Sequence, residues 1–171
     1  MICRVMLATI VVAIVPGLMS PQSTRGPEVE RLSALVGTFE GDVRYAPPGM
    51  PAQVGRMTYR GEWDLDGWII RSRYDQVFGT KPSVGGLLIF RWRPKDSTYA
   101  FEGYANTPME PHRLSGRWDD GLVFDGKAGG ATYRERWQRR GADTLVNTME
   151  FQRNGEWIKV SEAVLLRKRD P

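Results

Sequence analysis

The length, composition and charge of this chain indicate a single globular domain and exclude several classes of protein. With 171 residues, 41% of them hydrophobic and 26% charged, the chain can bury a sizeable core within one domain. The formal net charge of +4 is spread along the sequence, and no basic stripe, zinc finger or RNA-recognition motif is present, so we expect no nucleic-acid partner.

The first twenty residues have the layout of a secretory signal peptide. Arg4 provides a positive head, and an apolar run follows from Val5 to Val15. A membrane-spanning helix needs ~20 apolar residues, so we expect cleavage within residues 17–23, a secreted or periplasmic location and no stable membrane insertion of the mature chain. An uncleaved anchor is the alternative. Cleavage would also remove Cys3, the single cysteine, so the mature chain would have no disulfide.

The rest of the chain is predicted to form one domain. We expect residues 1–20 to be the signal peptide, residues 21–27 a linker rich in Ser, Pro and Gly, and residues 28–171 the folded domain. Because proline favours the first turn of a helix and glycine its end, a short helix is predicted to open at Pro27 and to stop at Gly37.

After Gly37 the apolar residues alternate with polar ones, as they do in half-buried strands. The first alternating run extends from Phe39 to Tyr45, and the second from Met57 to Leu65. About ten such runs follow one another at roughly 8–12-residue spacing, with Asp-Gly, Asn-Gly and similar turn sequences between them. The pattern predicts an all-β fold, an antiparallel up-and-down barrel of ten strands after a short helix, with a sandwich as the alternative. It does not show which face of each strand points inward.

Four segments carry a resemblance to a known family. The segments "LSALVGTFEGDVRY", "GEWDLDGWIIRSRYD", "GGLLIFRWRPKDSTYAFEGY" and "LLRKR" resemble, in that order, the bacterial lipocalin-like proteins of domain-of-unknown-function family 1579. This resemblance implies a calycin-like barrel, often with a signal peptide, and no known reaction. The chain departs from the family pattern at Phe39, where a tryptophan is usual, and at Asp66-Gly67, where two glycines are expected.

The Gly-Thr-Phe-x-Gly segment is also similar to the opening of the nitrobindins, which are haem-binding ten-stranded barrels. Haem would need a histidine on a late strand, and the last strand, "WIKVSEAVLLRKR", has none. We therefore expect no haem and no other cofactor. The single histidine, His112, is predicted at a strand start on the surface, with a role at the barrel mouth as the alternative. One histidine without cysteine ligands does not predict a metal site.

Charged residues of both signs interleave on the predicted strands. The acidic ones are Glu62, Asp75, Glu102, Glu135 and Glu150, and the basic ones are Arg71, Arg73, Arg91, Arg134 and Arg136. We expect cross-strand ion pairs on the outer face, each contributing about 0.2–1 kcal/mol. In the alternative, one or two of these groups point inward, and an arginine anchors a ligand carboxylate, as in fatty-acid-binding barrels.

These observations favour a barrel that binds a small apolar or amphipathic molecule. Aromatic residues with a polar tip suit a pocket wall. The predicted ligand-binding residues are Trp63, Arg71, Arg73, Tyr74, Trp92, Tyr104, Arg134 and Trp137. No catalytic residue is predicted. An enzyme that performs acid–base chemistry in the cavity is the first alternative, and a structural or partner-binding module is the second. The oligomeric state is left open.

Overall fold

The computed structural model describes residues 25–108, 110–128 and 130–169 and contains a closed barrel of ten antiparallel strands. Each strand pairs with its neighbours in the chain, and β1 pairs with β10 to close the barrel. The strands are β1 (Gly37–Tyr45), β2 (Gln53–Asp64), β3 (Ile69–Val77), β4 (Val84–Arg93), β5 (Thr98–Ala105), β6 (His112–Trp118), β7 (Leu122–Ala128), β8 (Ala131–Arg140), β9 (Thr144–Arg153) and β10 (Glu156–Arg167). The predicted ten-stranded up-and-down barrel is confirmed.

The predicted signal peptide, and the linker as far as residue 24, lie outside the described residues. No helix within the described ranges is long and apolar enough to cross a membrane.

The helix before the barrel is shorter than predicted. The α-helix α1 covers Pro27–Glu30 and continues as a 3₁₀ turn over Arg31–Leu35. A 3₁₀ turn has three residues per turn, so Leu32 and Leu35 lie on the same side. Both are fully buried, which indicates that packing against the barrel determines the form of this segment.

Alternate residues of every strand fill the barrel interior. On β1 and β2 the inward residues include Phe39, Val43 and Tyr59, each at most 1% exposed. In the centre, the ring of Phe90 lies 5.1 Å from that of Phe101 and 5.8 Å from that of Trp137, centroid to centroid. The first contact is tilted and the second is edge-on, and both lie at the centre of the core.

Inward-facing glycines allow the strands to bend around this core. A Cβ atom at Gly41 would overlap the carbonyl oxygen of Val164 on β10, and one at Gly116 would overlap that of Val123 on β7. Glycine at such positions lets the neighbouring backbone approach where the sheet curves into a barrel.

One end of the barrel, the plugged end, is closed by α1 and the 3₁₀ turn. Two arginines near the C-terminal ends of β8 and β10 hold this segment. Arg139 donates to the carbonyl of Ala34 at 3.1 Å, and Arg167 donates to the carbonyl of Val36 at 2.9 Å. Both guanidinium groups lie 4.8 Å from the ring centroid of Phe39.

The other end, the mouth, is bordered by the hairpins that join β1 to β2, β3 to β4, β5 to β6, β7 to β8 and β9 to β10. β2 begins at Gln53, earlier than the predicted Met57, because Gln53 pairs with Tyr45 at the end of β1.

Candidate ligand-binding site

Four side chains form a buried polar cluster inside the barrel. Glu135, only 6% exposed, accepts hydrogen bonds from Tyr133 Oη at 2.5 Å, Trp137 Nε1 at 2.7 Å and Asn147 Nδ2 at 3.1 Å. Tyr133, Glu135 and Trp137 alternate along β8, so their side chains share its inward face. Asn147 pairs in register with Trp137 from β9. We call these four residues the Glu135 cluster.

Glu135 has no cationic partner in the part of the chain that the structure describes. Its sequence neighbours Arg134 and Arg136 lie on the outer face and pair with Asp125 at 2.7 Å and Asp119 at 3.4 Å. No basic side chain within the described ranges forms an ion pair with Glu135. Burial therefore raises the pKa of Glu135, although its three hydrogen-bond donors oppose that increase.

Between the Glu135 cluster and the mouth lie four inward-facing side chains that are only half-buried: Tyr74, His112, Met149 and Phe151. We call these four residues the mouth lining. The ring of Tyr133 is 5.5 Å from that of Phe151 and 6.1 Å from that of His112. Burial raises the pKa of Tyr74, and the nearby charge of Glu135 adds to this effect. The mouth lining thus connects the buried carboxyl with the open end of the barrel.

Tyr59 provides a second polar group deep in the interior. Its side chain is 1% exposed, and its ring lies 5.2 Å from that of Trp137. Among the described residues its hydroxyl has no hydrogen-bond partner, and burial raises its pKa while nearby Ser72 opposes the increase. The hydroxyl of Ser72 donates instead to the carbonyl of Leu88 at 3.4 Å. An unpaired hydroxyl inside a barrel is a position for a bound water or ligand.

The structure divides the eight predicted ligand-binding residues between the two faces of the barrel wall. Four face inward: Trp63, Tyr74, Trp92 and Trp137. The other four face outward: Arg71, Arg73, Tyr104 and Arg134. Among the inward four, Trp63 packs under Arg25 at 4.6 Å and Trp92 packs on Tyr99 at 4.9 Å, both at the plugged end. Only Tyr74 and Trp137 come together near Glu135.

Two of the three outward arginines, Arg71 and Arg134, lie in surface ion pairs. Arg71 pairs with Glu62 and Asp64, each at 2.9 Å, and Arg134 pairs with Asp125 and lies over Trp157 at 4.0 Å. This is the arrangement expected for cross-strand pairs on the outer face. A molecule inside the barrel would not touch these side chains, and their role in binding stays a prediction.

Three members of the Glu135 cluster were not among the predicted site residues: Tyr133, Glu135 and Asn147. Among the interleaved charged residues, for which either ion pairs on the outer face or one or two inward groups are predicted, Glu135 is the one that points inward beside the aromatic core. The sequence nevertheless contains the information, because Glu135 has the same alternation as Tyr133 and Trp137 in "TYRERWQ". On this strand the face that carries Tyr133 and Trp137 points inward, and Glu135 lies on it. His112 is the first residue of β6, as predicted, and the structure places it half-buried at the mouth.

Two grooves lie on the outside of the protein. One, of about 590 Å³, lies along β2, β3 and β4 beside the outward Arg60 and Arg73, and its lining also includes Tyr59 and Tyr74. The other, of about 630 Å³, lies beside the helix at the plugged end, next to Trp118. Neither is lined by the Glu135 cluster. Convergent polar groups with altered pKa values distinguish a functional site, so the barrel interior is the stronger candidate. Within the described ranges no cluster of three His, Cys, Asp or Glu residues could hold a metal ion.

Comparisons with solved structures identify the fold. The structure of Rv2717c from M. tuberculosis superposes with a TM-score of 0.64 at 15% sequence identity, covering 84% of this chain and 99% of that one. An S-type phycobiliprotein lyase, CPES from Guillardia theta, gives a TM-score of 0.61 at 9% identity, covering 86% and 96%. The chain has a calycin-like fold. No family model and no curated protein matches the sequence, so membership of family 1579 stays a prediction.

Proposed function

We propose that this calycin-like barrel binds a small apolar or amphipathic molecule that enters through the mouth. The observation that carries the proposal is the buried Glu135 cluster beneath a half-exposed, mainly apolar mouth lining. Small-molecule sites typically combine apolar walls with a few convergent polar groups that fix the orientation of the ligand. The mouth lining supplies the walls, and Glu135 supplies the polar end.

The two ends of the barrel support entry from the mouth. At the plugged end, Leu32 and Leu35 are fully buried and the helix carbonyls are held by arginines. Entry there would require the helix to detach from the barrel. At the mouth, Tyr74, His112 and Phe151 face inward and are already partly exposed to solvent.

The proposal can be tested with the neutral, environment-sensitive dye Nile red and a pair of adjacent substitutions. Ala131 is an inward residue at the mouth end of β8, and Thr132 is its outward neighbour. We expect saturable dye fluorescence with the wild-type protein and with Thr132→Trp, and loss of binding with Ala131→Trp, whose indole would fill the mouth. Equal binding by both variants would place the dye outside the barrel and contradict the proposal.

A second candidate function, acid–base catalysis in the barrel, is favoured by Glu135 itself. A buried carboxyl with a raised pKa, hydrogen-bonded to a tyrosine hydroxyl, can exchange a proton with a substrate. The test is turnover of a panel of small esters and enolisable ketones. Any activity should disappear in Glu135→Gln, and activity that survives this change would not arise from Glu135.

We also propose that the mature protein is secreted or periplasmic. The supporting observation is the charged head and apolar run of the first twenty residues. N-terminal sequencing of the protein from the extracytoplasmic fraction should give a first residue within 17–23. Full-length protein confined to the cytoplasm would contradict this proposal.

A further inference from the structure

The hydrogen bonds around Glu135 leave one side of its carboxylate open. A carboxylate offers about four acceptor positions, two on each oxygen. Oε1 accepts from both Trp137 and Asn147, whereas Oε2 accepts only from Tyr133. Among the described residues no second donor reaches Oε2. The remaining acceptor position on this oxygen is therefore available to a donor group of a bound molecule.

The three hydrogen-bond donors around Glu135 favour its charged form, but all three are neutral and none pairs its negative charge with a positive one. The indole of Trp137 can only donate, and the amide of Asn147 is oriented to donate. Such a donor set suits a carboxylate, yet a buried charge is costly unless an opposite charge pairs with it. Arg139 and Arg167 also face inward, but at the plugged end, where they bond to the carbonyls of Ala34 and Val36. No basic residue in the described ranges therefore supplies a cation to this site.

Aromatic rings lie beside the carboxyl on the route from the mouth. Tyr133 lies 5.5 Å from Phe151 and 6.1 Å from His112, centroid to centroid, and Tyr74 is close enough for the charge of Glu135 to affect it. Ring faces attract ammonium groups, most strongly where water is excluded. A carboxylate combined with such rings suits an amine better than an anion or a neutral alcohol.

We infer that the molecule held in this barrel is an amine with an apolar tail, whose ammonium group donates to Oε2 of Glu135 while its tail lies along the mouth lining. This inference rests on the proposed ligand-binding function and specifies its ligand class. It differs from the sequence-based alternative of an arginine that anchors a ligand carboxylate, because the predicted arginines Arg71, Arg73 and Arg134 face outward.

Three ligands of equal chain length distinguish a cationic, a neutral and an anionic head group: octylamine, 1-octanol and octanoate. Each is titrated into the protein below its aggregation concentration by isothermal titration calorimetry. We expect octylamine to bind about tenfold more tightly than octanol, as a charge-assisted hydrogen bond would provide, and octanoate to bind least well. Octanoate as the tightest ligand would overturn the inference and leave the proposed function intact. Absence of binding by all three ligands and by Nile red would overturn the proposed function itself.

Two isosteric variants locate the interaction. Glu135→Gln should lower octylamine affinity about tenfold and leave octanol affinity unchanged. The matched control is Glu150→Gln, on the outward face of the adjacent strand β9, which should change neither. If Glu135→Gln binds octylamine as well as the wild-type protein does, the inference is wrong.

The wild-type protein provides a second readout that does not depend on the folding of a variant. If the ammonium group ionises Glu135, octylamine binding at a pH where Glu135 is protonated in the free protein should release a proton, seen as a dependence of the calorimetric enthalpy on the buffer. Octanol binding should not release one. The other titratable groups facing this position are Tyr133 from β8, Tyr74 from β3 and His112 from β6. His112→Gln should leave the proton release unchanged, and loss of the release in this variant would assign it to the histidine and contradict the inference.

Discussion

The two ends of this barrel are built from similar residues but differ in how those residues are used. At the plugged end, aromatic rings lie beneath a helix segment and two guanidinium groups, and the ring of Phe39 is fully buried. At the mouth, rings such as Phe151 and Tyr74 face the same interior but stay partly exposed. The barrel thus has a structural end and an accessible end. Inward rings are partly exposed at both ends, since Trp63 and Trp92 at the plugged end are also only half-buried. The comparison teaches that neither aromatic content nor partial exposure alone locates a binding site, and that the helix segment covering one end is the difference between them.

The largest expected effect on stability comes from replacing one phenylalanine at each end of the barrel with alanine. Phe39→Ala should lower the free energy of unfolding by about 3–5 kcal/mol because it removes a fully buried ring. Phe151→Ala should cost about half as much, since its ring is only half-buried. Urea denaturation of both variants measures the difference. Equal losses would show that the mouth is packed as completely as the plugged end.

The next effect concerns the attachment of the helix. Arg139→Met removes the hydrogen bonds to the carbonyls of Ala34 and Ala142, and the expected loss is about 1–2 kcal/mol. Burial and the nearby charge of Arg167 both lower the pKa of Arg139. The variant removes this charge repulsion, so the loss of free energy of unfolding should stay modest. Arg140→Met, at the exposed neighbouring position, is the control. Amide hydrogen exchange should quicken over residues 27–35 in the first variant only, and unchanged exchange there would show that Arg139 does not hold the helix.

A smaller, pH-dependent effect is expected from Glu135. Because its pKa is raised above the ordinary value of 4.5, the folded protein binds this proton more tightly than the unfolded chain does. Its contribution to stability therefore falls as the pH rises from about 4.5 through the folded pKa, by about 1.4 kcal/mol for each tenfold difference in proton affinity.

The measurement is the free energy of unfolding of the wild type minus that of Glu135→Gln, across the acid range. The difference should decrease with increasing pH. Carboxylates with a lowered pKa, such as Glu40 and Asp125, contribute with the opposite sign, but they are present in both proteins and cancel. A difference that increases with pH would mean that Glu135 is stabilised as a carboxylate in the absence of ligand.

The smallest effect is expected on the outer wall. Arg71→Gln breaks two ion pairs between side chains that are largely exposed, so the loss should be at most about 1 kcal/mol and should shrink in high salt. Nile red binding should not change. A loss of dye binding in this variant would mean that the outer face takes part in ligand recognition, as the sequence-based prediction for Arg71 proposed.

The sequence was sufficient to predict the architecture because the relevant signals are local. The alternation along β1 is recognised from neighbouring residues alone. The same is true of the Asn154-Gly155 turn, where both residues have positive φ in the structure. Hairpin connections of this length then specify an up-and-down arrangement.

The candidate site was predicted only in part, because it depends on contacts between distant segments. The role of Arg139 requires the helix carbonyls that it meets across the fold. Asn147 acquires its importance only from its register with Trp137. Glu135 is different, since its alternation with two aromatic residues was visible in the sequence. A charged carboxylate is normally expected on the outer face. Inside this barrel, three hydrogen-bond donors offset the cost of burying Glu135.

Closure of the barrel by β1 and β10 has a kinetic consequence. These two strands pair from Phe39 with Arg167 to Tyr45 with Ser161, the largest sequence separation of any strand pair in the sheet. While the barrel folds, β1 keeps one unpaired edge until β10 pairs with it. Long-range pairing of this kind slows folding, and an exposed strand edge invites intermolecular pairing. The pairing of β10 with β1 is therefore the step that removes the open edges of the sheet and protects the folding chain from aggregation.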